Sequence, residues 1–185
     1  MKRQIRSSVF ETNSSSTHSI AISKAPVEAD GKCISFGIGE FGWGNDCVDT
    51  ADYLYTAILE QDDRYDLLDR LKEILDKHNI NYVFKEPKLK KSFYSDYTYL
   101  DYGYVDHSYE ARELIFALLD NEDLLMRYLF GDSHVYTGND NQDSVPDGCD
   151  IADEYYWEED EHGNYVEKLN PYHDPVNYEY FYKGN

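Results

Sequence analysis

The segment 11–18 brings together side chains that could transfer a proton or hold a phosphate. It contains one carboxylate, Glu11, one imidazole, His18, and several hydroxyl side chains between them. A histidine beside a carboxylate can act as a general acid–base pair, and the N–H groups of a serine-rich turn can bind phosphate oxygens. Asp140, in the polar segment Asn139–Asn141, would complete such a site if the two segments meet. The pattern permits a nucleotide-directed transferase or hydrolase with Glu11, His18 and Asp140 as catalytic residues.

The same segment also has a purely structural interpretation. Six consecutive Asn, Ser, Thr and His residues, Asn13–His18, readily bond nearby backbone groups and favour turns. Adjacency along a chain is also not the geometry of a catalytic triad. Both interpretations stay open on the sequence alone.

A second candidate site lies in the C-terminal third, where negative charge is concentrated. The net charge is −20, and residues 131–185 hold fourteen Asp and Glu against two Lys, which accounts for −12 of it. Within Asp150–Glu161, seven carboxylates and three large aromatics occupy twelve residues without a Lys or Arg. Carboxylates at this density repel one another and cost the compact state free energy. We therefore expect the segment to serve a cationic partner.

Carboxylates on one face can satisfy the Lys and Arg side chains with which a protein binds nucleic-acid phosphates. Tyr and Trp add anchors that stack on arginine or fill recesses. The predicted partner-binding residues are Asp143, Asp147, Asp150, Asp153, Glu154, Tyr155, Tyr156, Trp157, Glu158, Glu159, Asp160 and Glu161. A secondary candidate surface comprises Asp96, Asp101 and Asp106, which are interleaved with tyrosines. The alternative is an acidic surface that binds no partner.

Two short motifs carry a resemblance: Phe-Glu-Thr-Asn-Ser-Ser-Ser-Thr-His-Ser at residues 10–19 and Thr-Gly-Asn-Asp-Asn at residues 137–141. Together they resemble a widespread group of small phage- and prophage-encoded proteins of Firmicutes. The resemblance implies a phage or mobile-element setting and no particular reaction. Acidic anti-CRISPR and anti-restriction proteins of such settings act by nucleic-acid mimicry. We therefore predict a non-enzymatic inhibitor that binds a basic nucleic-acid-handling protein, such as a bacterial defence nuclease.

The composition argues against several other classes of function and location. The negative charge argues against binding to anionic membranes or nucleic acid, apart from a secondary contact of nucleic acid with the basic N-terminus at Arg3 and Arg6. No apolar run approaches the roughly 20 residues of a membrane span, and no signal-peptide core follows the first residues. The three cysteines lack CxxC spacing, so neither a disulfide scaffold nor a zinc site is indicated. We predict a cytoplasmic protein of a bacterial host, without cofactor or metal.

Two further motifs match known ligand-binding loops only weakly. Gly37–Gly44 holds four glycines but lacks the patterns of nucleotide-binding loops, and it predicts a loop that displays Phe41 and Trp43. Four oxygen-bearing side chains resemble positions 1, 3, 5 and 12 of a calcium loop, although the expected first Asp, sixth Gly and twelfth Glu are missing. These four are Asn139, Asn141, Asp143 and Asp150.

Hydrophobic periodicity predicts an α+β fold with about four helices packed on a small, mostly antiparallel sheet. The predicted helices are Asp49–Glu60, Asp63–His78, Ser108–Leu119 and Glu122–Phe130. The predicted strands are Ser19–Ser23, Lys32–Phe36, Ile80–Lys85, Ser133–Tyr136 and Tyr178–Tyr182, with the first two pairing as a hairpin, and Tyr97–Tyr104 predicts a further strand or hairpin. Tyr155–Leu169 predicts a further, acidic hairpin that turns at His162–Asn164. We expect residues 1–137 to form the body and residues 138–185 an acidic, aromatic-rich elaboration docked on it.

Overall fold

A computed structural model describes residues 16–42, 46–92, 98–106, 111–139 and 155–183. Over these ranges the helices are α1 (Thr50–Leu59), α2 (Arg64–Lys77), α3 (Arg112–Asp120) and α4 (Glu122–Phe130), with a short 3₁₀ helix at Pro171–His173. The strands are β1 (Ser16–Ser23), β2 (Cys33–Phe36), β3 (Glu40–Phe41), β4 (Asp46–Val48), β5 (Asn81–Phe84), β6 (Leu89–Lys91), β7 (Thr98–Leu100), β8 (Tyr104–Val105), β9 (Ser133–Asn139), β10 (Tyr155–Glu159), β11 (Tyr165–Leu169) and β12 (Tyr178–Lys183). The predicted α+β class, with four helices and mostly antiparallel small sheets, is confirmed.

The main sheet has the strand order β12-β1-β9-β4, and all three of its pairings are antiparallel. β1 suits an interior position because it contains no Asp, Glu, Lys or Arg. Its residues Ile20 and Ile22 point to one face, where they join the hydrophobic core with α1 and α4. On the other face, the ring of Tyr172 in the 3₁₀ helix lies 4.6 Å from the ring of His134 in β9. The sheet is therefore covered on both faces at its centre.

α1 is the central helix of the core, since every side chain from Tyr53 to Leu59 is buried. Asp49 begins this helix, and its carboxylate accepts hydrogen bonds from the backbone N–H groups of Ala51 and Asp52 at 2.9 and 3.0 Å. Such an N-cap satisfies donors that the first turn leaves without a helical acceptor. Among the described residues, no helix is long and apolar enough to cross a membrane.

The predicted hairpin between the first two strands is wrong. β2 leaves the main sheet and pairs in parallel with β5, and the two are joined through α1 and α2. Parallel strands require a long crossover of this kind, whereas an antiparallel hairpin does not. The packing of Phe36 on Phe84, with ring centroids 4.6 Å apart, fixes this pair over the core. Alternation along β2 indicated its faces but carried no information about its partner.

The predicted display of Phe41 is also wrong, because Phe41 is buried and its ring lies 5.6 Å from that of Tyr53. β3 pairs in parallel with β8, and this pairing turns Phe41 into the core. Trp43 lies outside the described residues. Cys47 in β4 takes part in a disulfide bond, which the cysteine spacing did not indicate, whereas Cys33 is an exposed free thiol.

Candidate functional site

The acidic hairpin, defined as residues 155–169, forms from β10 and β11 as the sequence predicts. Its register places Tyr155 opposite Leu169, Trp157 opposite Glu167 and Glu159 opposite Tyr165. Directly opposite residues of an antiparallel pair project to the same face of the sheet. These six side chains therefore share one face, which we call the tryptophan face.

The other face of the hairpin has a different chemistry. Tyr156 lies opposite Lys168, and Glu158 lies opposite Val166. The Lys168 ammonium donates a hydrogen bond of 2.5 Å to the carboxylate of Glu158. This bond raises the pKa of Lys168. The charge of Glu158 is thus already balanced within the hairpin.

The turn of the hairpin is held by Asp160. One oxygen of its carboxylate accepts hydrogen bonds from the backbone N–H groups of His162 and Asn164, both at 2.8 Å. These bonds lower the pKa of the Asp160 carboxyl. Gly163 has a φ of +80°, a conformation that glycine adopts without steric cost. Asp160 is therefore a turn-forming residue as well as a member of the predicted partner-binding set.

Both strands of the acidic hairpin are exposed along their whole length. The side chains of Trp157 and Tyr165 on the tryptophan face are 64% and 69% exposed, and Tyr155 and Leu169 are 50% and 42% exposed. An isolated two-stranded hairpin is only marginally stable in water. Large aromatic side chains that cluster on a surface, bordered by charges, mark interaction sites. The hairpin thus presents exposed aromatic side chains bordered by carboxylates.

The described residues include only part of the predicted partner-binding set. Tyr155–Glu161 lie in the acidic hairpin, with Glu161 exposed in the turn. Five of the acidic residues lie outside the described residues: Asp143, Asp147, Asp150, Asp153 and Glu154. Most of the calcium-loop segment, Asn141 to Asp150, lies outside them as well.

The secondary surface does not form a uniform set of free carboxylates. Asp101 is ion-paired with Lys90, and this contact raises the pKa of Lys90. Asp106 is half-buried next to Gly42. Asp96 lies outside the described residues. The charge of Asp101 is consequently balanced within the protein.

The two resembling motifs meet in the main sheet. β1 and β9 pair with Ser16 opposite Asn139, residue 17 opposite Gly138, and His18 opposite Thr137. The described ends of both motifs are therefore neighbouring strands rather than separate patches. Glu11 and Asp140, the other two candidate catalytic residues, lie outside the described residues.

His18 is fully buried and hydrogen-bonded. Its Nδ1 lies 2.8 Å from the hydroxyl oxygen of Tyr53 in α1. Burial, followed by the charge of Glu60, raises the pKa of Tyr53 well above its usual value, so its hydroxyl stays protonated. Gly42, at a φ of +123°, packs beside this pair, and a Cβ there would lie 3.3 Å from Nε2 of His18 and 2.5 Å from Cβ of Asp106. In this conformation a substrate would reach the imidazole only after the Gly42 segment moved.

Sequence reasoning missed the surroundings of both sites. Tyr53 and Gly42 were not assigned to the histidine, because their contacts depend on how β3 and α1 pack. Glu167, Lys168 and Tyr165 were not assigned to the acidic surface, although the predicted hairpin placed them across from the chosen residues. The register of a hairpin decides which side chains share a face. The predicted turn at His162–Asn164 sets this register, so it was the sequence signal that could have identified these residues.

Metal ligands do not cluster in the described ranges, where no group of three or more His, Cys, Asp or Glu could hold an ion. Comparison with protein-family models, with curated proteins and with solved structures finds no match to this chain. The function is therefore inferred from the geometry of the two sites.

Proposed function

We propose that this protein is an acidic, non-enzymatic binding protein that docks on a nucleic-acid-handling protein through the acidic hairpin. The observation that carries the proposal is the exposure of aromatic and carboxylate side chains together on the tryptophan face. Aromatic residues at the centre of an interface supply much of the binding energy, while charges of one sign select and orient a partner of the opposite sign.

The partner is a protein whose own cations serve to bind phosphates. Glu159 and Glu167 lie diagonally across the hairpin on one face, which places their Cα atoms about 7–8 Å apart. Two such carboxylates can engage neighbouring Lys or Arg side chains of a polynucleotide-binding cleft, where phosphates would otherwise bind. The net charge of −20 would also steer the chain toward a basic surface. A CRISPR or restriction nuclease of a bacterial host fits this description.

The test is inhibition of purified CRISPR and restriction nucleases in DNA-cleavage assays at about 50 mM salt, followed by direct binding of the protein to an inhibited enzyme, without DNA, at about 50 and 500 mM salt. We expect the protein to block DNA binding by one of these enzymes at low salt, and to lose affinity steeply as salt screens the exposed charges. An affinity that stays constant over this salt range would contradict a charge-based mimic.

This function places the protein in the cytoplasm of the bacterial host. Disulfides are rare in that compartment, and Cys47 is disulfide-bonded in the structure. We therefore expect thiol-alkylating reagent added at cell lysis to label Cys47, and the bond to form on oxidation after purification. Protection of Cys47 at the moment of lysis would contradict the cytoplasmic location.

A second candidate function, a nucleotide-directed transferase or hydrolase, is favoured by one specific observation. His18 and Thr137, one from each resembling motif, are direct partners across β1 and β9. A functional site built from both motifs would require such proximity. The test compares nucleotide hydrolysis and transfer by the wild-type protein and by His18→Asn, with thermal unfolding as the control for folding. Activity that survives this substitution in a folded protein would remove His18 from the mechanism.

A further inference from the structure

We infer that the tryptophan face of the acidic hairpin is the docking surface, and that it binds two arginine side chains of the partner. The inference deepens the proposed function and rests on it. It specifies which face of the hairpin binds, which side chain of the partner is bound, and how many such side chains are bound.

The tryptophan face contains two cross-strand pairs of an aromatic residue and a glutamate, and we call each pair a seat. Trp157 is directly opposite Glu167, and Tyr165 is directly opposite Glu159. Each pair puts an aromatic ring and a carboxylate side by side, with Cβ atoms about 4.5–5.5 Å apart. Because the pairs are two residues apart along the strands, the seats repeat at about 7 Å. Each seat holds one aromatic ring and one carboxylate, with the aromatic residue on β10 in one seat and on β11 in the other.

Each seat suits a guanidinium group better than an ammonium group. A guanidinium is planar, so it can stack on an aromatic ring while its N–H groups bond to a neighbouring carboxylate. It is also more weakly hydrated than the ammonium of lysine, which lowers the cost of removing it from water. Lysine can satisfy the carboxylate but gains less from the ring. The seats should therefore discriminate between two side chains of equal charge.

The opposite face lacks this arrangement. Glu158 is bound to Lys168, which belongs to the same face and repels an incoming cation. In the described part of the chain, by contrast, no cation forms an ion pair with Glu159 or Glu167 on the tryptophan face. Two adjacent glutamates, Glu158 and Glu159, thus differ in whether their charge is available to a partner. This difference supplies a matched control.

The experiment titrates two end-blocked peptides, Ser-Arg-Ser-Arg-Ser and Ser-Lys-Ser-Lys-Ser, into the full-length protein at low salt, followed by backbone amide shifts in NMR spectra. We expect the arginine peptide to bind about threefold or more tightly than the lysine peptide. Its shifts should cluster on residues of the tryptophan face. Equal binding of the two peptides, or no binding of the arginine peptide, would overturn the inference.

Two double variants test which face binds. Glu159→Gln with Glu167→Gln removes two charges from the tryptophan face, and Glu158→Gln with Glu161→Gln removes two charges elsewhere on the hairpin. The first should weaken arginine-peptide binding about five- to tenfold, and the second less than about twofold. Glutamine keeps the shape of glutamate, so both variants should retain the hairpin shifts of the wild type. Equal weakening by the two variants would refute the assignment of the face.

Trp157→Leu tests the stacking contribution, because leucine keeps apolar bulk but has no aromatic ring. We expect the preference for arginine over lysine to fall toward one. A preference that is unchanged in this variant would contradict the stacked seat. None of these results depends on nuclease inhibition, so failure of the face assignment and failure of the proposed function can be told apart.

Discussion

Arg127 and Glu179 are joined by a 3.0 Å hydrogen bond that fastens the last strand, β12, to α4. Arg127 is buried, and its guanidinium also donates to the carboxylate of Asp123 at 2.9 Å and to the backbone carbonyl of Ser23 at 3.0 Å. One side chain therefore connects α4, β1 and β12. The acidic hairpin precedes β12 in the chain, so this cluster anchors the segment that follows the proposed docking element.

Arg127→Met should destabilise the protein by about 1–3 kcal/mol, since the buried backbone carbonyl of Ser23 would lose its hydrogen-bond donor. The measurement is the free energy of unfolding in urea. Lys72→Met is the control, because Lys72 forms only an exposed ion pair with Asp69, and such pairs contribute little. Equal losses in both variants would contradict the anchoring role of Arg127.

Asp132 should make stability depend on pH in the acidic range. The hydroxyl of Tyr178 donates a 2.7 Å hydrogen bond to its carboxylate, and His134 lies 2.8 Å from the other oxygen. The bond from Tyr178, with the contact from His134, lowers the pKa of Asp132 below its ordinary 3.8. A lowered folded pKa contributes stability that is present above pH 3.8 and is lost as pH falls through the folded value.

Asp132→Asn should therefore reduce the melting temperature at neutral pH and reduce its dependence on pH below about 4. Thermal unfolding from pH 7 to pH 2 provides the measurement. Tyr178→Phe should act in the same direction, because it removes the stronger of the two contacts. Melting curves of Asp132→Asn that run parallel to the wild type over the whole range would argue against this link.

Gly42→Ala should be more destabilising than Gly31→Ala. Both glycines have positive φ angles, +123° and +69°, and so both variants pay a cost in backbone strain. A Cβ at Gly42 would also lie 2.5 Å from Cβ of Asp106, whereas a Cβ at Gly31 would meet no atom within 4 Å. We expect Gly42→Ala to cost about 1–3 kcal/mol more in urea unfolding, which is the usual cost of overpacking. Equal costs would mean that the packing around His18 is looser than the structure shows.

The helices were predictable because each carries an apolar stripe, although α3 begins at Arg112 rather than at the predicted Ser108, which lies outside the described residues. Leu67, Leu71 and Leu75 mark the buried face of α2, and Gly131 ends α4 as expected. The acidic hairpin was predictable because the turn segment His162–Asn164 separates two short segments that contain aromatic residues. These features are local, and local features can be read from neighbouring residues.

Strand partners and buried contacts were not predictable in the same way. The pairing of β2 with β5 and the burial of Phe41 depend on residues far away in the chain. The joining of the two resembling motifs through His18 and Thr137 also required the sheet topology. At the hairpin, the acidic composition indicated a cationic partner, but only the register separated Glu159 from the Lys168-bound Glu158. Composition thus identified the segment, whereas geometry identified the face.

The most direct test of the central claim captures binding proteins from host lysate on the immobilised wild-type protein and on Glu159→Gln with Glu167→Gln. We predict that a nucleic-acid-handling protein is held by the wild type only, and that excess duplex DNA or 500 mM salt releases it. A partner that the double variant retains equally, or that stays bound in excess DNA and high salt, would contradict the account.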